Sequence, residues 1–449
     1  MKQKTKWQFF TFSGGNFANT LAYQVLGNRV QFYYIDVLGL SPALAGVVWT
    51  VYGIWNMIND PLMGQVTDRT RSKMGRRIPY LYFGAIPLGL SFFFLWTPFK
   101  QNPYIMALYF FMALFIFDTI YSLTIIAYNA LFPEIAKTIV ERVSLSTIRE
   151  ILAVFGLLTA YIVGPILSDS VGYVAMGAII GVLVAIGYLI TPLGLKELPV
   201  PKDEVNVGML DSLKIVLSSI PFRYFVGFNL MKEYVFLILG AMLPFWRKYV
   251  LGITGPAMVF GTKMGAGDQE AILLGVPFIL MIPLLLIWQR IVPRLGSRMS
   301  WMVGNALFLP GLIIMTLANN FYTGLLGTAL IAPGLAVYQL LPLPMISEII
   351  DDDGSKHGYR REGIFMGMSS GIVRAAFSLQ GVLLGTVFSI SGYVNGAAVQ
   401  SISAIWGIRF LIGITPIISI VISYLLLWKF PFGRERVTNK PVAAVDSVG

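Results

Sequence analysis

Apolar residues in this chain come in repeated runs near 20 residues long, separated by short stretches that hold most of the charge. A run of that length crosses a hydrocarbon core of about 30 Å as one α-helix. Twelve runs are predicted, near residues 7–35, 43–66, 79–97, 103–131, 147–168, 171–195, 221–250, 268–290, 300–317, 320–347, 363–392 and 400–430. The longest polar interruption, Lys196 to Ser219, carries charges with Pro199 and Pro201 and separates six runs from six. The expected organisation is an amino-terminal six-helix bundle over 1–195, a cytoplasmic central loop over 196–219, a second six-helix bundle over 220–430 and a cytoplasmic tail over 431–449. Alternating strand patterns of about ten residues are absent, which argues against a membrane barrel. The fold class read from this pattern is an all-α membrane protein of twelve transmembrane helices in two bundles.

Composition supports that class. Of the residues, 56% are hydrophobic and 12% charged, about half the charged share of a soluble domain. The net charge of +11 does not point to nucleic acid, because the basic residues fall in the short loops, where topology explains them. With the amino terminus placed inside, the inner segments carry 23 of the 33 Lys and Arg, the outer segments 4 and the spans 6. Both termini are therefore expected to be cytoplasmic, in a multi-pass protein of the plasma (inner) membrane. The basic Met1 to Lys6 and the long run after it, without a small-residue cleavage site, read as a retained first helix. The absence of cysteine excludes disulfides and thiol chemistry. The single His357 has no His or Cys to join it in a metal site. No nucleotide loop or nucleophile–base set is visible, so an enzyme is not expected.

Polar residues inside the runs are the informative ones. Tyr52, Asn56, Asn59, Asp60 and Met63 recur on one face of the second span. A carboxylate with two amides there can coordinate a small cation or hold a proton, and ionisable groups inside a membrane usually face a partner or a wet cavity. Asp118, Tyr121, Ser122, Ile125 and Asn129 share a face of the fourth span, with a ring and polar groups that suit a polyhydroxylated ligand. Arg149 and Arg374 lie within the fifth and eleventh spans and need anionic or carbonyl partners. Asp60, Asp118, Glu150 and Glu233 are the available carboxylates. Adjacent Lys232 and Glu233 are expected to point apart, and Arg29 and Arg409 to snorkel toward helix ends.

Gly64-x3-Asp68-Arg69, with Gly75-Arg76-Arg77 after it, resembles the loop signature of the major facilitator superfamily, where it latches helices on the cytoplasmic side. The longer string from Asn59 to Tyr80 resembles the glycoside-pentoside-hexuronide:cation symporter family, the melibiose permease relatives. Further matches are Y-Y-I-D-V-L-G-L-S at 33–41, F-P-E-I at 132–135 and G-Y-R-R-E-G at 358–363. The resemblance implies a major facilitator fold and a secondary transporter of a sugar, glycoside or sugar acid, working by alternating access, with cation coupling through bound Na+ or H+ and no other cofactor. It implies cation-coupling roles for Asp60, Asn56, Asn59, Ser122 and Arg374. It implies substrate contacts from Tyr121 and Arg149; Asn16, Tyr23, Asp118, Asn129, Gln339 and Ser370 complete the expected substrate-contacting set, with Asp118 as a displaced carboxylate. Gly64, Asp68, Arg69, Arg76 and Arg77 would form the cytoplasmic gate.

The departures bear on specificity. Asn56 stands where melibiose-type members carry a second aspartate, Asn16 and Ile125 where they carry sugar-binding aspartates, and Asn129 and Gln339 where they carry stacking tryptophans. Asp60 beside Arg374 sums to about zero charge, which would hold sodium poorly. A lysolipid-like substrate and a non-transporting membrane sensor of the same fold stand as alternatives. The expected partners are a small solute and membrane lipid, with oligomeric state open.

Overall fold

The computed structural model describes residues 3–99, 102–136, 139–193, 195, 209–357 and 362–432. Its first half contains α1 (Gln3–Phe32), α2 (Pro42–Arg69), α3 (Ile78–Phe94), α4 (Pro103–Ile135), α5 (Ile139–Leu158), α6 (Gly164–Ser170) and α7 (Gly172–Ile190). A short α8 (Met209–Ser218) leads to α9 (Ile220–Tyr249), then the hairpin β1 (Ala257–Val259) and β2 (Thr262–Met264). The second half continues with α10 (Ala266–Leu295), α11 (Ser297–Leu317), α12 (Phe321–Leu330), α13 (Ala332–Leu340), α14 (Pro342–His357), α15 (Glu362–Val373), α16 (Ala375–Ile390), α17 (Ile402–Arg409) and α18 (Thr415–Lys429).

Among the described residues, nine segments are long and apolar enough to cross a membrane. The polar α1 and α2 and the shorter α3 complete the twelve spans. The least apolar spans are the ones that carry the amides and carboxylate of the site. Starts are set locally: Ser41 and Asn102 cap α2 and α4 by accepting from the amides of Leu44 and Tyr104, and a proline follows each cap. Within α2, Pro61 removes an amide donor and frees the carbonyl one turn back, just beside Asn59 and Asp60.

The tenth span, expected as one helix, is three pieces, with prolines opening α13 and α14. The fifth and twelfth spans each pass through one wide π turn, Thr159–Val163 and Phe410–Ile414. The hydropathy pattern predicts neither α8 nor the hairpin. Residues 196–208, the tail from 433 and 358–361 of the G-Y-R-R-E-G match lie outside the described residues, as do the side chains of Asp68 and Arg69. In the loop after α2, Gly75 has φ 105°, a left-handed turn that favours glycine, and Arg77 donates to the Ala130 carbonyl at 2.5 Å.

The two halves meet most closely where α2 crosses α16. A Cβ on Gly46 would lie 2.8 Å from both the Gly381 carbonyl oxygen and the Gly385 Cα, and one on Gly381 would lie 2.8 Å from the Thr50 nitrogen. Small residues let membrane helices approach in this way. These neighbours are backbone and cannot yield. Gly46→Val is therefore expected to cost about 1–3 kcal/mol and to lower the thermal unfolding midpoint of the purified protein. An unchanged midpoint would mean that this crossing opens freely.

Candidate functional site

A cavity of about 380 Å³ lies between the halves. On the first half it is lined by Asn16, Asn19 and Tyr23 of α1, by Tyr121, Ile125 and Asn129 of α4, and by Arg149 of α5. Spacings of three and four residues put each set on one helical face. The second half contributes Glu233 of α9, with Ser370, Val373, Arg374 and Phe377 from the eleventh span.

Arg149 is held at one end of the cavity. Asn16 donates to its backbone carbonyl at 2.9 Å, and its guanidinium donates to Asn129 Oδ1 at 3.0 Å. The guanidinium lies 5.0 Å from the Tyr128 ring centroid and 5.1 Å from that of Phe132, a cation–π setting. Among the described residues it has no carboxylate partner. At the other end Tyr23 stacks on Tyr121 at 5.8 Å and meets Phe377 edge-on at 5.8 Å, while the Tyr121 hydroxyl donates to Asn19.

Beside the cavity, α2, α4 and the eleventh span share a buried polar cluster. Asp118 is 1% exposed. It accepts from Asn56 at 2.8 Å, from Asn59 at 2.7 Å and from the Tyr52 hydroxyl at 3.3 Å. Ser122 donates to Asp60 at 2.6 Å and lies 3.0 Å from the Asn59 amide. Arg374 pairs with Asp60 at 2.7 Å and donates to the Asn56 side-chain carbonyl. Asn56 thus touches Arg374 with its oxygen and Asp118 with its nitrogen. Two carboxylates and one guanidinium give the cluster a formal charge of −1. The neutral sum expected from Asp60 and Arg374 leaves out Asp118, which one sequence cannot place within reach of Arg374.

Asn59 Oδ1 is buried without a donor partner among the described residues. Buried polar atoms are rarely left so. The amide nitrogen of Asn59, rather than this oxygen, faces Asp118 and Ser122. The Asp60 and Asp118 carboxylates with the Ser122 hydroxyl supply oxygen donors, the chemistry that suits a hard cation.

The remaining predicted residues sort clearly. Asn16, Tyr23, Tyr121, Asn129, Arg149, Ser370 and Arg374 line the cavity; Asn56, Asn59, Asp60 and Ser122 lie in the cluster behind it. Asp118 does not line the cavity, because its carboxylate turns into the seam between α2 and α4, where Tyr52, Asn56 and Asn59 cover it. Gln339 is exposed on α13 and is also absent from the lining; its helix, cut short by the breaks on either side, turns it away. Lys232 and Glu233 pair with each other at 2.9 Å, since long side chains can fold back over adjacent Cα atoms. Arg29 and Arg409 do not snorkel: Arg29 is 1% exposed and pairs with Glu270 at 2.9 Å, and Arg409 donates to the Thr316 carbonyl and to Asn319. Asn19 and Phe377 join the lining without having been expected there. The signal for Asn19 is its place three residues beyond Asn16, on the same face.

Twelve membrane helices in two bundles around a polar cavity define a transporter of the major facilitator type, not an enzyme. The family profile described as MFS/sugar transport protein matches residues 11–434. The chain belongs to this family. It is 24% identical to the isoprimeverose transporter of Lactiplantibacillus pentosus, over 90% of this chain and 85% of that one. It is 22% identical to the glucuronide carrier protein homolog of Escherichia coli K12, over 100% and 97%. It is 24% identical to the sodium-dependent lysophosphatidylcholine symporter 1-A of Danio rerio, over 96% and 87%. The crystal structure of the nucleoside transporter NupG superposes with a TM-score of 0.67 at 16% identity, covering 96% of this chain and 100% of that one. That likeness concerns the fold.

Proposed function

We propose that this protein carries an acidic sugar or glycoside across the plasma (inner) membrane, both termini cytoplasmic, together with Na+ or H+. The observation that carries the reading is Arg149, a permanent cation facing a polar cavity with no carboxylate partner among the described residues. An arginine fork matches a carboxylate in charge and shape. The aromatic wall of Tyr23, Tyr121 and Phe377 offers a face for a sugar ring. The cavity volume falls in the range of small-ligand sites.

Coupling follows from the sharing of Arg374. It faces the cavity and also pairs with Asp60 across the two halves. A cation bound among Asp60, Asp118 and Ser122 would neutralise the acid that holds Arg374, freeing its guanidinium toward an anionic solute. Each ligand then improves the other's affinity, as linkage requires. The carboxylate and hydroxyl donors fit Na+, and the same carboxylates can take up H+.

A lysolipid-like cargo fits less well, since the walls carry amides and charges where an acyl chain would need an apolar sleeve. A sensor without flux would show no solute counterflow.

The test is uptake in proteoliposomes of a labelled hexuronate against a neutral disaccharide, with and without a Na+ or H+ gradient. Gradient-driven accumulation of the acid is expected, and accumulation of the neutral sugar alone would overturn the substrate reading. Asp60→Asn is expected to keep counterflow but lose gradient-driven accumulation. Full accumulation in that variant would remove Asp60 from coupling.

A further inference from the structure

On the face opposite the termini, a second cavity of about 460 Å³ is walled by charged residues from both halves. It lies apart from the site above and shares none of its lining. Glu270, 1% exposed on α10, stands between two arginines. Arg29, at the end of α1, approaches it at 2.9 Å from the first half. Arg247, at the end of α9, approaches it at 2.8 Å from the second. A second acid, Asp36, follows α1 and is held by the other half. Lys248 contacts it at 2.6 Å, the hydroxyls of Tyr249 and Tyr393 donate to it, and so does the Gly396 amide at 3.2 Å. Deeper in the same seam, Asn28 of α1 donates to the Gly240 carbonyl of α9 at 2.6 Å.

We propose that Glu270 and Asp36 form an electrostatic lock that holds this face shut, with Glu270 contributing most. Exposure decides the ranking. The Lys248 side chain is 25% exposed, so water can replace much of its pair with Asp36. Arg29 and Glu270 are both 1% exposed. Removing one partner of a buried pair leaves an uncompensated charge, which is strongly unfavourable. Loss of Glu270 takes the carboxylate from two guanidiniums at once. Arg247, 11% exposed, keeps the Ile253 carbonyl, whereas Arg29, 1% exposed, is left as a buried, uncompensated charge in the seam. A carboxylate shared by both bundles thus sets the balance between closed and open, whatever solute the cavity on the other side takes.

The chain has no native cysteine, so one introduced thiol reports alone. Gly240→Cys places a thiol in the seam below the lock, where a Cβ meets only Tyr161 Oη at 3.8 Å. Ser370→Cys places one in the cavity on the side of the termini. The experiment is the rate of maleimide labelling in nanodiscs, with the lock intact and with Glu270→Gln. The broken lock is expected to speed labelling at position 240 about tenfold or more and to slow it at position 370. Asp36→Asn is expected to move both rates in the same directions by less. Opposite changes separate a conformational shift from loss of fold, which would expose both thiols. Unchanged rates at both positions, or a rise at both in Glu270→Gln and in the milder Asp36→Asn, would overturn the proposal.

Discussion

Arg149→Gln is expected to weaken binding of an acidic sugar by about 10- to 100-fold, the cost of losing a hydrogen-bonded charge pair, while binding of a neutral glycoside changes little. The argument is one of supply. Of the cations facing the cavity, Arg374 is already paired with Asp60, whereas Arg149 rests on a neutral amide and two aromatic rings. Arg149→Lys keeps the charge but loses the planar fork and is expected to fall between. Calorimetric titration with a hexuronate and with its neutral sugar checks this. Equal weakening of both ligands would assign Arg149 to holding Asn16 and Asn129 in place rather than to reading the solute's charge.

Asp118→Asn is expected to abolish cation dependence. The change takes the cluster from −1 to neutral and weakens the acceptor for two amides that already donate to it. Some loss of stability accompanies this, of order 1–3 kcal/mol for the buried donors left unsatisfied. The separating readout is the sodium-induced rise in thermal midpoint. It should vanish in Asp118→Asn while a solute-induced rise survives, because Asp118 lies behind the cavity wall. Sodium stabilisation equal to that of the unaltered chain would refute a coupling role for this acid. In Asp60→Asn, by contrast, Arg374 loses its own partner, and solute binding is expected to lose its dependence on the cation.

Much of this is legible along the chain, and the physics explains which part. The hydrocarbon core demands about 20 apolar residues per span, so the spans declare themselves. Helical periodicity alone brings Asn56, Asn59 and Asp60 to one face. Depth and rotation stay hidden in a linear pattern. Asp118 and Ile125 share a face of α4, yet one lies in a helix seam and the other in the cavity. Gln339 sits on a helix whose rotation follows from breaks at either end. Arg29 reads as a snorkelling residue because its partner, Glu270, is 241 positions away; only the approach of the two bundles makes that pairing.

Asn56 offers a last consequence. Its carbonyl meets the arginine of one half and its amide meets the acid of the other. Only a group with opposite polarity at its two ends satisfies both neighbours. An aspartate there would keep the first contact and repel Asp118, unless an ion of higher charge or an extra proton settled between them. Ion preference in this lineage could therefore drift through a single amide-to-acid exchange, with no helix moved and no residue of the solute pocket altered.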